Sequence, residues 1–231
     1  MRGPAGLISM GHSVLTDMSD EKSNTPASRS ADRVGPIIIS RHGRPALDRK
    51  KGPRLSWQEY KDWWARYEAG SLAEGQSAPD ALKQIVRDSE TVLASSRPRA
   101  LETAQFAAPW AEIESSELFW EANLPPPTWE RIRFLPKTWN VIARAAWLRG
   151  HKLDGEGIRD AEARAERAAD YLVDRAQKGK VYLAAHGWFN RMLRPRLKAR
   201  GWACVYDGGD AYWSYRVYEY RPGTQKSETD D

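Results

Sequence analysis

Val34-Gly35-Pro36-Ile37-Ile38-Ile39-Ser40-Arg41-His42-Gly43 is the stretch on which the reading of this 231-residue chain turns. Its β-branched run is bounded by turn-forming residues and is too short for a helix, so it reads as a buried strand. A basic residue and a histidine follow directly at its carboxyl end, where open α/β sheets bind ligands.

The same plan recurs downstream. Thr91-Val92-Leu93-Ala94-Ser95 reads as a second short strand, and Pro98 is placed to be the first residue of a helix running to about residue 110. Lys180-Val181-Tyr182-Leu183-Ala184-Ala185 is predicted to be another strand, closing in His186-Gly187 and followed by a basic helix to about residue 200. Ser56-Trp57-Gln58-Glu59 has capping-box spacing and opens an aromatic helix through about residue 68. A Gly/Ser-rich loop at 70 to 79 and a helix from 79 to 88 come next.

Residues 113 to 121 are predicted to form a strand ending at Glu121, and Leu124-Pro125-Pro126-Pro127 imposes an extended loop. The Trp-rich residues 128 to 149 are predicted to be helical. Apolar positions 158, 161, 165, 168, 169, 172, 173 and 176 fit one face of a long helix. Residues 204 to 220, with Gly208-Gly209 between aromatic runs, suggest strands at a sheet edge. The expected fold is a three-layer α/β/α sandwich with a mostly parallel sheet and the site at the strands' carboxyl ends.

Residues 1 to 33 lack periodicity and are expected to form a mobile leader, with Met10 and Met18 as alternative starts. A single catalytic domain is then expected over 34 to 222, interrupted by cap segments at about 50 to 80 and 122 to 157. Six of the eleven tryptophans (Trp57, Trp63, Trp64, Trp129, Trp139 and Trp147) fall in those segments. They read first as packing between the cap helices, and second as aromatic walls that select substrate.

A formal charge of +5 and a pI near 9.3 favour anionic partners without choosing among them. The arginine-rich helix at 188 to 200 reads as a solvated face rather than a nucleic-acid site. Cys204 is the only cysteine, which excludes an intramolecular disulfide framework and points to a reducing cytoplasm; it is expected to be a small buried apolar residue. No run approaches the roughly 18 apolar residues that span a bilayer, so no membrane association is expected.

A phosphoryl group leaving an ester carries two negative charges, so its site needs fixed cations, a nucleophile and an acid for the departing oxygen. Arg41 and Arg99 can present planar forks of donors to phosphate oxygens, His186 can add a hydrogen bond, and a neutral His42 can attack. His12 and His151 lie in the leader and at a helix end, so no ligand cluster accompanies these histidines; neither metal nor cofactor is expected, and arginines would neutralise the charge.

These motifs resemble the histidine phosphatase superfamily, the phosphoglycerate-mutase-like group. Arg41-His42-Gly43 after an apolar strand resembles its signature, Ser95-Ser96-Arg97-Pro98-Arg99-Ala100-Leu101-Glu102-Thr103-Ala104 its second arginine motif, and His186-Gly187 its second histidine motif. Gly155-Glu156, ahead of an arginine-bearing helix, resembles a Gly-Glu pair in many members. The resemblance spans about 36 to 220 in matching order.

It implies that His42 attacks phosphorus, that Arg41, Arg99, His186 and Gly187 bind the phosphoryl oxygens, and that Glu121 protonates the leaving group and later activates water. Glu117, four residues earlier, is the alternative acid. Arg44 stands where many members have Glu or Gln, and the Ser-X-Trp-Asn continuation of the glycolytic mutases is absent, which argues against mutase activity. Arg97 is an additional cation that either contacts substrate or faces solvent. The expected function is hydrolysis of a small phosphomonoester. The alternatives are a phosphoprotein phosphatase of phosphohistidine type and a non-catalytic anion-binding module.

Overall fold

The computed structural model describes residues 34–222; the expected leader lies outside them. Six strands form one sheet in the order β3-β2-β4-β1-β6-β5. β1 (Ile37–Arg41), β2 (Thr91–Ser95), β3 (Ile113–Ser116) and β4 (Val181–Ala185) run parallel, while β5 (Trp202–Asp207) and β6 (Tyr215–Tyr220) close one side antiparallel.

Alternation along the strands sends side chains to two cores. Ile37, Ile39, Leu183 and Ala185 pack with α5 (Ile158–Ala176) and α6 (Gly187–Ala199). Ile38, Val92, Ala94 and Tyr182 pack on the other face with α2 (Asp80–Val86) and α3 (Pro98–Ala107). The fold is therefore the expected three-layer α/β sandwich. Six of the eight apolar positions read along α5 are buried, and Ile158 and Val173 are half-buried against the same core.

α1 (Trp57–Ala69) and α4 (Pro136–Leu148) make a third apolar cluster beside the sheet. Ser56 caps α1 with the full reciprocal box foreseen from its spacing. Trp139 is fully buried, its indole N–H donates to the Leu55 carbonyl at 2.7 Å, and its ring stacks on Tyr60 at 5.7 Å. Emptying a core site of that size costs about 3–5 kcal/mol, so this ring is a main tie between the two helices. Trp63, Trp139 and Trp147 are packing residues, whereas Trp64 is half-buried and faces a cavity.

Three expectations need correction. The strand predicted to end at Glu121 stops at Ser116, because the Ser116 side chain accepts from the Leu118 N–H and starts a 3-10 turn at Glu117–Phe119. The helix predicted from residue 128 begins at Pro136, since the backbone before it pairs with Leu55 through Phe134. Cys204 is exposed rather than buried, as β5 is the sheet's edge and most of its residues face solvent. Among the described residues no helix is long and apolar enough to cross a membrane.

Candidate active site

β2, β4 and β1 are neighbours, and each delivers a site residue just past its carboxyl end. Arg99 lies in the first turn of α3, His186 caps α6, and His42 follows Arg41 directly. The His42 N–H donates to the Ala185 carbonyl at 2.9 Å, so the two histidines stand side by side with ring centroids 5.2 Å apart.

The His42 tautomer follows from its neighbours. Nδ1 lies 2.7 Å from the Gly43 carbonyl, which only accepts, so Nδ1 carries the proton. Nε2 keeps its lone pair and receives the Arg99 Nε–H at 3.3 Å. His186 is arranged in reverse: Arg99 donates from Nη2 to its Nδ1 at 3.1 Å, and its Nε2–H donates to Ser95 Oγ at 2.8 Å. Burial, reinforced by Arg99, pushes both imidazoles well below the usual histidine range; Arg41 adds to this at His42. Both rings are neutral at pH 7.

Arg99 has no exposed surface, and all five of its donors are used. Besides the two histidines, Nη1 donates to the Tyr67 and Glu68 carbonyls at 3.0 Å each, and Nη2 to the Glu68 carboxylate at 2.6 Å. The three bonds to the end of α1 are shorter than the two to the imidazoles. Glu68 therefore clamps the guanidinium from behind and leaves its long, weak bonds aimed at the histidine pair. Burial raises the Glu68 carboxyl pKa against the pull of Arg99 and Arg97. Sequence reading missed Glu68, because a carboxylate in the last turn of an amphipathic helix looks solvated.

Two glycines and a threonine set the signature turn. A Cβ on Gly43 would meet the Trp213 ring at 2.5 Å, and one on Gly187 would crowd the Arg41 guanidinium at 3.2 Å. The Gly43 N–H donates to Thr103 Oγ1 at 2.9 Å, and that hydroxyl donates to the Arg99 carbonyl at 2.6 Å. Arg41 donates to the Asp210 carbonyl at 2.6 Å and lies 4.4 Å over the Tyr212 ring; among the described residues its Nε has no hydrogen-bond partner.

Glu121 is held by backbone donors: Ala122 and Phe189 on Oε1, Trp188 on Oε2, at 2.8–3.1 Å. It thus joins its loop to the amino end of α6. The Gly155-Glu156 pair serves the same segment. Glu156 binds Arg164 through both oxygens at 2.7 Å, and Arg164 donates to the Leu118 and Trp120 carbonyls.

Glu121 lines the cavity of about 510 Å³ that contains Arg41, His42, Arg99 and Gly187, and also a neighbouring cavity of about 700 Å³; Glu117 lines only the latter. His186 sits behind Arg99 without exposed surface. Arg97 lies 3.9 Å over the Trp120 ring and 3.2 Å from Glu68, so it braces the wall of the site. Arg44 ties its backbone to Gln76 while its side chain is exposed.

The basic helix α6 is largely neutralised within the chain: Arg191 and Arg194 pair with Asp210, Arg196 with Glu166, and Arg200 with Glu166 and Asp170. Among the described residues no three His, Cys, Asp or Glu side chains gather as a metal site.

The histidine pair predicts a pH effect on stability. Folded-state pKa values lie below 6.5, so under pH 6.5 the unfolded chain binds more protons than the native one, and stability falls with pH. Urea unfolding midpoints at pH 7.5, 6.5 and 5.5 should decline in that order, the steeper step lying below 6.5; equal midpoints would contradict neutral buried rings.

Residues 37–229 match the histidine phosphatase superfamily (branch 1). A mycobacterial glucosyl-3-phosphoglycerate phosphatase superposes with a TM-score of 0.50 at 19% identity, over 71% of this chain and 79% of its own. The product of an open reading frame of Mycobacterium tuberculosis gives 0.50 at 17% identity, over 82% and 98%. A phosphoserine phosphatase mutant from Entamoeba histolytica gives 0.49 at 18%, over 71% and 80%. For the first two, at these identities, the likeness is one of fold. No curated protein matches the sequence.

Proposed function

The chain belongs to the histidine phosphatase superfamily, and from that membership and the geometry of its site we propose that it hydrolyses a small phosphomonoester in the cytoplasm through a phosphohistidine on His42. The observation that carries this reading is the His42 ring itself: buried, neutral, with Nδ1–H fixed on the Gly43 carbonyl and the Nε2 lone pair aimed at an arginine.

In the first step Nε2 attacks phosphorus, the ester P–O bond breaks, and Glu121 gives its proton to the leaving oxygen. The phosphoryl oxygens take over the Arg99 Nε–H and Nη2–H that the imidazoles hold in the free protein, together with donors of Arg41 and the Gly187 backbone. His186 Nδ1 gives up the Arg99 bond in that step, and its ring stays anchored by the Nε2–H donated to Ser95 Oγ. In the second step water attacks the phosphohistidine, passes a proton to Glu121 and releases inorganic phosphate. Arginines supply the charge neutralisation, so no metal is required. The cap helices flank a cavity sized for a small ester, which favours a metabolite over a phosphoprotein loop.

Turnover of 4-nitrophenyl phosphate in excess chelator tests the reading; no turnover of this or any alkyl ester would favour a binding module. Glu121→Gln separates the two proton transfers. With an alkyl phosphate, which needs an acid, kcat/KM should fall about 10²–10⁴-fold. With the aryl ester the first step needs little help, so a burst of nitrophenol followed by slow turnover is expected. Equal losses on both esters without a burst would remove Glu121 from both roles.

A further inference from the structure

The segment that joins β5 to β6, residues 208–214, lies across the start of the nucleophile turn. The Arg41 N–H donates to the Ser214 carbonyl at 2.9 Å, and the Trp213 N–H to the His42 carbonyl at 3.4 Å. The Trp213 indole packs where a Gly43 Cβ would stand, and its Nε1–H donates to Gln76 at 3.1 Å. Trp213 has a φ of +65°, in the left-handed region that bulky side chains rarely enter. Strain of that kind persists only where the surroundings over-determine it, and it concentrates at functional sites.

The same segment holds the Arg41 side chain. Nη1 of Arg41 donates to the Asp210 carbonyl at 2.6 Å, and the Tyr212 ring lies 4.4 Å from the guanidinium carbon and 5.7 Å from the His42 ring. Among the described residues Arg41 makes no ion pair, in contrast to Arg99, which Glu68 clamps. The Asp210 carboxylate is turned elsewhere: Oδ2 accepts from Arg191 at 2.9 Å, and Oδ1 pairs with Arg194 and, at 3.1 Å, with Arg216. Burial by itself would raise the Asp210 carboxyl, yet the bonds from Arg191 and Arg194 hold its pKa at about 2, so it is ionised at every working pH. α6 and β6 thus draw the charged end of Asp210 away from Arg41 and leave its neutral carbonyl on the guanidinium.

A carboxylate on Arg41 would oppose an incoming phosphoryl dianion, whereas a carbonyl and an aromatic face orient the guanidinium without cancelling its charge. We propose that Asp210 and Tyr212 are positioning residues for Arg41, and that the connection between β5 and β6 thereby sets part of the affinity of the site for a phosphoryl group. This rests on the phosphoryl site assigned above to His42 and Arg41, and extends it to a segment remote from both in sequence. Asp210 acts through its anchor on three arginines, and Tyr212 through the face of its ring.

The test is the affinity for inorganic phosphate, read by 31P NMR titration on variants whose unfolding midpoints are measured alongside. Asp210→Ala and Asp210→Asn remove the same negative charge beside the cavity, and charge alone would make both bind phosphate more tightly. Positioning has the opposite sign. The dissociation constant should rise at least about tenfold in Asp210→Ala and in Tyr212→Leu, while Asp210→Asn, which keeps an acceptor, and Tyr212→Phe, which keeps the ring, stay within about threefold of wild type. In an Arg41→Gln background the alanine and leucine substitutions should each change the constant by no more than about twofold, because the group they orient is gone. Where Asp210→Ala does not fold, Tyr212→Leu carries the test, since it leaves the Asp210 ion pairs in place. Binding as tight as wild type or tighter in the folded variants, or losses of equal size without Arg41, would overturn the positioning roles and leave the phosphatase reading standing. The affinity is read without turnover, so the expected losses in a protein that hydrolyses no ester would overturn the phosphatase reading and uphold the positioning of Arg41.

Discussion

Alanine at position 42 is expected to lower phosphatase kcat/KM by at least about 10³-fold while leaving the fold intact, because removing a nucleophile abolishes the covalent route and spares only binding and electrostatic effects. His42 is buried but leaves few polar atoms stranded: the Gly43 carbonyl loses Nδ1–H, and the Arg99 Nε–H loses a long bond of 3.3 Å. The signature turn does not depend on the imidazole, since Gly43 is held by Thr103 and the His42 backbone by the Ala185 carbonyl. Unfolding midpoint and kinetics measured on the same preparation separate the two effects. Retained activity in a folded His42→Ala protein would end the phosphohistidine mechanism.

Arg99→Ala is expected to cost both activity and stability. Five acceptors lose their donor at once, and Glu68 keeps only Arg97 as a counter-charge. Breaking a buried pair by removing one partner costs about 3–5 kcal/mol, which urea unfolding resolves. Activity should fall at least about 10²–10³-fold, the scale of losing one fixed donor to developing charge. Arg99→Lys should regain part of the stability and little of the activity. Its ammonium has three donors and cannot reach two carbonyls, a carboxylate and the phosphoryl group together. Wild-type activity in the lysine variant would show that Arg99 acts as a simple positive charge.

How much of this was legible in the sequence follows the range of the interactions. Short β-branched strands ending in Arg41-His42-Gly43, Ser95 and His186-Gly187 announced themselves because strand, turn and helix signals are local, and order in the chain then brought them to one sheet end. The long helix at Ile158–Ala176 was equally plain from its periodicity.

What escaped depended on contacts distant in sequence. Glu68 owes its meaning to Arg99, 31 residues away, and Arg97 shows its role only once Glu68 and Trp120 are both in place. Glu121 was found by resemblance, but on a strand that stops five residues short of it; its position comes from α6 and from the Arg164 clamp. Cys204 looked like core because composition does not reveal which strand lies at the edge.

The most direct test of the account is to mix the protein with 32P-labelled phosphomonoester in excess chelator, quench in alkali within milliseconds, and locate the label by peptide mapping. The account predicts a base-stable, acid-labile phosphoryl group on His42 that forms and decays at the rate of turnover and is absent from His42→Ala. Turnover with no labelled intermediate, or with the label on another residue, would contradict it.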